Sequence, residues 1–152
     1  ELLGEERYSM TYQARSVFDS GAIVTFSSDE WWGGNMLATY LSPYLGMQVG
    51  HTRQYPKEWW TTKDDGIRSP SNERLSLEQL IEGYTRNGAY QLRRESELGT
   101  IEVGKLADLV VLEKNLFDVD RHEIWKVTPS AVMMEGRVIQ GSLPGAGHRL
   151  VQ

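Results

Sequence analysis

The sequence predicts an α/β fold, with a strand-and-helix unit in residues 1–97 and a small β unit in residues 98–152. Three observations support this prediction. Residues 22–26 are apolar and β-branched without polar alternation, which is typical of a strand buried on both faces of a helix-covered parallel sheet. A capping-box pattern at Ser76 begins the clearest helix. The composition then changes to short β-rich runs joined by tight turns.

Apolar spacing and turn residues predict the remaining elements of the first unit. Residues 54–72 lack a period and predict a long loop, which in a compact domain is usually functional or mobile. The capping-box helix is expected to continue to Leu92, with Arg93 and Arg94 in its last turn. The other predicted helical segments are 11–20, ended by Gly21, and then 35–41 and 47–53.

The C-terminal unit is predicted to contain strands at 109–112, 127–134 and 137–140, the last two joined by a tight turn at Glu135-Gly136. Lys105 and Asp108 precede the first strand and are expected to order a turn rather than to act in catalysis. Two or three short strands are marginally stable alone. Unpaired strand edges favour association, so we expect a homo-oligomer or self-association through these edges.

Composition excludes several classes of function. The 16 Lys and Arg residues against 21 Asp and Glu residues give a net charge of -5, without the basic stripe of a nucleic-acid or membrane-surface binder. No apolar run approaches the length of a membrane span. There is no cysteine, so disulfides and thiolate metal sites are excluded. The sequence begins without Met or a targeting segment, which predicts a piece of a longer protein whose compartment is not indicated.

Asp29 is the first candidate for chemistry because it follows the predicted buried strand. A carboxylate at the carboxyl end of a barrel strand is rigidly held, and it can bind a metal ion or move a proton. The alternative is a turn-forming or helix-capping aspartate. Trp31 and Trp32 follow directly, and Trp59 and Trp60 form a second pair. Both pairs fit either a substrate pocket or ordinary packing.

The three histidines, His51, His122 and His148, show no metal-ligand spacing. Surface or packing roles are therefore favoured for them. His51 is the one histidine kept as a candidate site residue, since it lies beside Arg53 in the region after Asp29.

Several segments together resemble the amidohydrolase superfamily. Residues 21–29 resemble its last barrel strand and the aspartate that follows. Residues 98–112, with LGTIEVGKLADLVVL, and residues 127–138 resemble its C-terminal ending. Arg53 and residues 74–90 resemble the branch of N-substituted formamide deformylases in amidohydrolase family 3.

The resemblance covers roughly residues 3 to 141 and implies a C-terminal fragment of a (β/α)₈ metal-dependent hydrolase barrel. Residues 1–97 would hold the last barrel strand with its helices and loops. Residues 98–152 would hold strands and the tail of the adjoining small β-sandwich. The family's HxH motif and middle-strand histidines are absent from this chain.

The implied activity of the intact enzyme is hydrolysis of a non-peptide C–N bond in a small amide or N-formyl substrate. Asp29 would be catalytic and a possible metal ligand, and Trp31, Trp32, His51 and Arg53 would contact the substrate. The intact enzyme would carry a divalent metal, expected to be zinc, with none expected on this chain alone. The alternative is a non-catalytic, self-associating interaction domain derived from the same architecture.

Overall fold

A computed structural model describes residues 4–28, 42–59, 66–143 and 145 of the chain. These residues form a mixed structure of helices and strands, which agrees with the predicted presence of both kinds of element. The helices are α1 Gly4–Ser9, α2 Ala14–Asp19, α3 Pro43–Thr52, α4 Leu77–Tyr84 and α5 Arg86–Gln91. The strands are β1 Leu109–Leu112, β2 Pro129–Met134 and β3 Arg137–Gly141. Single 3₁₀ turns lie at Lys57–Trp59, Ser71–Glu73, Leu116–Asp118 and Ile124–Lys126. None of the described helices is long and apolar enough to cross a membrane.

The predicted strand at residues 22–26 is wrong, because this segment has no regular secondary structure and pairs with no strand among the described residues. A buried parallel strand needs hydrogen-bonded neighbours on both sides. Here the backbone is held differently, with the Asn87 side-chain amide donating to the Val24 carbonyl at 2.9 Å. Ile23 is exposed, whereas Phe26 is half-buried against the helices. The segment therefore packs on α4 and α5 without a sheet.

The predicted helices are confirmed in part. α2 starts at Ala14 rather than residue 11, since Tyr12 has a φ of 55° that a helix cannot continue through. Gly21 follows its end with a φ of 84°, and its N–H donates to the Phe18 carbonyl at 2.9 Å. The prediction at 47–53 corresponds to α3, which begins earlier, with Pro43 in its first turn. The predicted helix at 35–41 lies outside the described residues.

The capping-box helix is correctly placed but shorter than predicted. Ser76 accepts from the Gln79 N–H at 3.2 Å, and the Gln79 side chain accepts from the Ser76 N–H at 2.9 Å. The helix breaks at Thr85, whose φ of -124° and ψ of -90° are not helical. The Thr85 hydroxyl donates to the Ile81 carbonyl at 2.7 Å, a local bond that competes with the helical pattern. The chain then resumes as α5, which ends before Arg93 with its φ of 57°.

The C-terminal unit is an antiparallel sheet in the order β1-β2-β3, which confirms the three predicted strands. Glu135 and Gly136 form the β2-β3 turn with φ values of 49° and 79°, the left-handed pair that favours a tight hairpin. Asp108 orders this region by accepting from the Glu135 N–H at 2.7 Å. The Lys105 ammonium donates to the Glu95 carbonyl at 2.7 Å. Lys105 thus ties the predicted turn beside Gly104 to Glu95, whereas Asp108 orders the β2-β3 turn instead of the turn at Gly104.

One hydrophobic cluster joins residues from both sides of the predicted boundary at 97/98. Its N-terminal members come from α3, α4 and the loop before α4, and its C-terminal members come from the connection between β1 and β2. The buried members are Met47, Leu75, Leu77, Leu80, Leu116, Ile124 and Val127. The two predicted units therefore share a core.

Candidate functional site

A cavity of about 470 Å³ lies between residues 26–28, the N-terminal half of α3 and the end of α4. Its volume is within the range of small-molecule sites. The hydroxyl groups in its lining belong to Ser27, Ser28, Ser42, Tyr55 and Tyr84. The rest of the lining is Phe26, Pro43, Leu45, Gly46 and Val49. The lining therefore combines apolar surface with hydroxyl groups.

Two glycines allow the close packing that forms the cavity walls. A Cβ at Gly83 would lie 2.5 Å from the Phe26 ring, so glycine is needed for residues 22–28 to approach α4. A Cβ at Gly46 would overlap the Tyr84 hydroxyl, which lies against the backbone of α3. The rings of Phe26 and Tyr84 are 5.5 Å apart, a favourable tilted contact. The cavity therefore depends on tight contacts between three segments.

The hydroxyl of Tyr84 is protonated at neutral pH, which lies well below its ordinary pKa of 10.0, and burial raises that pKa further. A neutral phenol can both donate and accept a hydrogen bond. Ser42 is the N-cap residue of α3, and its side chain makes no capping hydrogen bond to the helix. Both hydroxyls line the cavity, where they can contact a carbonyl or amide group.

The predicted catalytic residue, Asp29, lies outside the described residues, as do Trp31 and Trp32. Ser27 and Ser28 precede Asp29 directly in the sequence, and both line the cavity. The roles of Asp29, Trp31 and Trp32 therefore stay predictions.

His51 and Arg53 are not among the residues that line the cavity. The Nδ1 atom of His51 is 2.8 Å from the Leu75 carbonyl. Arg53 is 6% exposed, and its guanidinium donates to the carbonyls of Tyr12 and Ser69, each at 2.9 Å. These contacts support structural roles for both side chains, and contact with a substrate stays a prediction.

Arg53 belongs to a polar cluster that holds the N-terminal helices on α3. Burial lowers the pKa of Arg53, and the nearby Arg68 lowers it further, while Glu73 opposes both effects. The Arg68 guanidinium lies 4.2 Å from the centre of the Tyr12 ring and 5.2 Å from that of Tyr8. The cluster therefore tethers residues 8–12 through aromatic faces and backbone carbonyls.

Glu73 also holds an N-terminal helix in place, and no pattern in the sequence indicates this role. Its carboxylate accepts from the Ser16 hydroxyl and from the Ser16 N–H, the latter at 2.9 Å. Ser16 is in the first turn of α2, and the N-cap residue Gln13 makes no side-chain capping bond. Glu73 thus caps α2 from 57 positions away along the chain. No local spacing signals such a cap, because its two halves meet only in the fold.

Replacing Glu73 with Gln is expected to lower the free energy of unfolding by about 1 to 2 kcal/mol at pH 7, because the amide accepts more weakly than the carboxylate. Hydrogen bonds from the Ser16 hydroxyl and then from its N–H hold the pKa of Glu73 below its ordinary value of 4.5. The stabilisation is therefore complete above the pKa of an unfolded glutamate and is lost as the pH falls through the lower folded pKa.

Urea unfolding between pH 3 and pH 7 measures this effect, with the exposed Glu113→Gln as the matched control. We expect the control to keep the acid dependence of the wild type and Glu73→Gln to lose part of it. Equal stability of the two variants at pH 7 would contradict the capping role.

Trp59 packs against other aromatic side chains. Its ring centre lies 5.6 Å from that of Trp125 and 6.4 Å from that of Tyr55, which lines the cavity. Trp60 lies outside the described residues. These contacts favour a packing role for Trp59 over a direct role in a substrate pocket. Trp59 supports the cavity lining through its contact with Tyr55.

The described part of the chain contains no group of three or more His, Asp or Glu side chains that could hold a metal ion. His51 is engaged with a backbone carbonyl. The described side chains do not fit a complete metal centre.

Comparison with known proteins defines the class. A family model described as the amidohydrolase family matches residues 1–140. The chain belongs to the amidohydrolase family.

Two curated relatives are similar over shorter segments. An imidazolonepropionase from Bdellovibrio bacteriovorus is 27% identical over 78 residues, which are 51% of this chain and 18% of that protein. An imidazolonepropionase from Bacteroides thetaiotaomicron is 41% identical over 46 residues, 30% of this chain and 11% of that protein. The matched segments thus span less than a fifth of each relative. No solved structure matches the chain.

Proposed function

We propose that this chain is the C-terminal part of a metal-dependent amidohydrolase that hydrolyses a non-peptide C–N bond in a small molecule. The family match across residues 1–140 carries the proposal. Residues 98–112 add weight because LGTIEVGKLADLVVL resembles the superfamily ending. The described residues are compatible with a fragment, since the sheet has only three strands.

Asp29 is the residue of this chain that we propose for the chemistry. Its carboxylate would accept the proton of the attacking water, which makes the oxygen a stronger nucleophile toward the carbonyl carbon. The divalent metal, which we expect to be zinc, would be held by upstream residues with Asp29 as a possible further ligand. This chain alone would then be inactive.

Two substrate classes are supported by different observations. Arg53 and residues 74–90 resemble the N-substituted formamide deformylases, which favours an N-formyl or amide substrate. The curated relatives are named imidazolonepropionases, which favours a related ring compound bearing a propionate. The N-formyl or amide class is our first choice, since its resemblance includes positions outside the general family ending.

The test is hydrolysis by the full-length product of the encoding reading frame, assayed on N-formyl amines and simple amides. We expect turnover that a chelator abolishes and that added zinc restores. The 152-residue chain is the control, and we expect no turnover from it. Turnover by this chain alone, or by the full-length protein after complete removal of metal, would overturn the proposal.

A second candidate function is a non-catalytic, self-associating domain. β1 and β3 are the sheet edges within the described part of the chain, and β3 is exposed along its length. Exposed apolar edge strands favour pairing with another chain. Light scattering of this chain separates the candidates, because concentration-dependent oligomers without activity in the full-length protein would favour this one.

A further inference from the structure

The cavity beside residues 26–28 has a consistent chemical character. None of the ten described residues that line it carries a charged side chain. Its polar groups are hydroxyls, among them Ser28, Ser42 and Tyr84. Its apolar walls include Phe26, Leu45 and Val49. Such a lining matches a ligand with an apolar body and a neutral hydrogen-bonding group.

Two cations from the ends of the segment between α3 and α4, Arg53 and Arg74, are committed elsewhere in the fold. Arg53 directs its guanidinium to the carbonyls of Tyr12 and Ser69. Arg74 donates through Nε to the Thr52 carbonyl at 3.1 Å. Neither lines the cavity. A carboxylate that entered would lose hydration without gaining a cationic partner from these side chains, which is strongly unfavourable.

The hydroxyl groups suit a neutral amide. The Tyr84 phenol lines the cavity and is protonated at neutral pH like any phenol, so it can donate to a carbonyl oxygen. Ser42 makes no capping bond within α3, so its hydroxyl is not committed to the helix. A ring or alkyl group would lie against Phe26 and Val49, where burial of apolar surface is favourable.

We propose that this cavity binds the uncharged, apolar part of the substrate and selects against substrates with a carboxylate at that end. The inference rests on the proposed hydrolase function, to which it adds the class of substrate. Ser27 and Ser28 connect the cavity directly to Asp29 in the sequence.

The test is a binding comparison on the full-length protein carrying Asp29→Asn, so that catalysis does not consume the ligands. The probes are 4-methylbenzamide and 4-carbamoylbenzoate, which differ by a methyl group in place of a carboxylate. Ligand-observed NMR titration gives both dissociation constants. We expect the methyl compound to bind at least tenfold more tightly.

Two matched pairs of variants locate the effect. Ser42→Lys places a cation in the cavity lining and is expected to shift the preference at least tenfold toward the carboxylate. Ser142→Lys adds the same charge at an exposed position after β3 and should not shift this preference.

Val49→Phe fills the cavity and is expected to weaken binding of the methyl compound at least tenfold. Val110→Phe makes the same change at an exposed site on β1 and should alter it less than twofold.

The outcomes separate this inference from the proposed hydrolase function. Equal or tighter binding of the carboxylate by the parent protein would overturn the inference, as would no shift in Ser42→Lys. Absence of saturable binding to protein shown to be folded by circular dichroism would also overturn it. If the full-length protein hydrolyses C–N bonds but does not prefer the methyl compound, only this inference fails. If it prefers the methyl compound but hydrolyses no substrate, the hydrolase proposal fails and the cavity remains a site for neutral ligands.

Discussion

Replacing Asp29 with Asn is expected to lower kcat of the full-length enzyme by about 10²- to 10⁴-fold, because the amide cannot accept the proton of the attacking water. The variant is nearly isosteric, so the fold should be retained. The measurement is steady-state hydrolysis of an N-formyl amine, compared with wild type over a range of substrate concentrations. KM should change much less than kcat if Asp29 acts mainly in the transition state.

The control for this prediction is Asp19→Asn. Asp19 is exposed and pairs with Arg15 at 2.8 Å on the surface of α2, so its loss should be nearly neutral. An Asp29→Asn enzyme that retains more than about a tenth of the wild-type kcat would assign the aspartate to a turn or helix cap instead.

Replacing Ile124 with Ala is expected to lower the free energy of unfolding of this chain by about 2 to 5 kcal/mol. Ile124 is fully buried in the cluster that contains Met47 and Leu80. The adjacent Trp125 N–H donates to the Gln48 side chain at 3.2 Å, which fixes this turn on α3. Because the shared cluster should make residues 1–97 and 98–152 unfold together, urea unfolding should keep one transition and shift it.

The control here is Ile101→Ala. Ile101 is 87% exposed, and we expect its replacement to change the free energy of unfolding by less than about 0.5 kcal/mol. Two separate transitions, of which Ile124→Ala shifts only the second, would contradict a core shared across the 97/98 boundary.

Local signals predict the parts of the fold that local chemistry determines. The capping box at Ser76, the end of α2 near Gly21 and the Glu135-Gly136 turn all occur where the sequence places them. Each depends on hydrogen bonds or backbone angles within a few residues. Lys105 and Asp108 are less local, because their partners Glu95 and Glu135 lie 10 and 27 positions away along the chain.

The mistaken predictions concern elements that depend on distant partners. Residues 22–26 have strand composition, but a strand forms only beside another strand, and here the segment lies on α4 and α5 instead. The apolar period after Ser76 continues through Thr85, although the backbone there turns away from the helix. Composition and period do not specify either outcome, because propensity is weaker than tertiary packing.

In the candidate site, too, features with a signal in the sequence differ from features that depend on distant partners. Asp29 is found from its position after an apolar run and from a family resemblance, and its role stays a prediction. The cavity could not be predicted, because it requires Tyr84 to meet Gly46 across 38 positions of sequence. The cap from Glu73 to Ser16 likewise joins residues that no motif connects.

Metal content tests the central claim most directly. The claim is that this chain supplies Asp29 to a site whose other ligands lie upstream in a longer protein. Divalent metal should be quantified by elemental analysis in the purified full-length protein and in the 152-residue chain, with intact mass measured on both. The account predicts a reading frame longer than 152 codons, at least about one metal ion per full-length molecule, and none on the 17.3 kDa chain. Stoichiometric metal on the 152-residue chain, or a full-length protein that hydrolyses C–N bonds without metal, would contradict it.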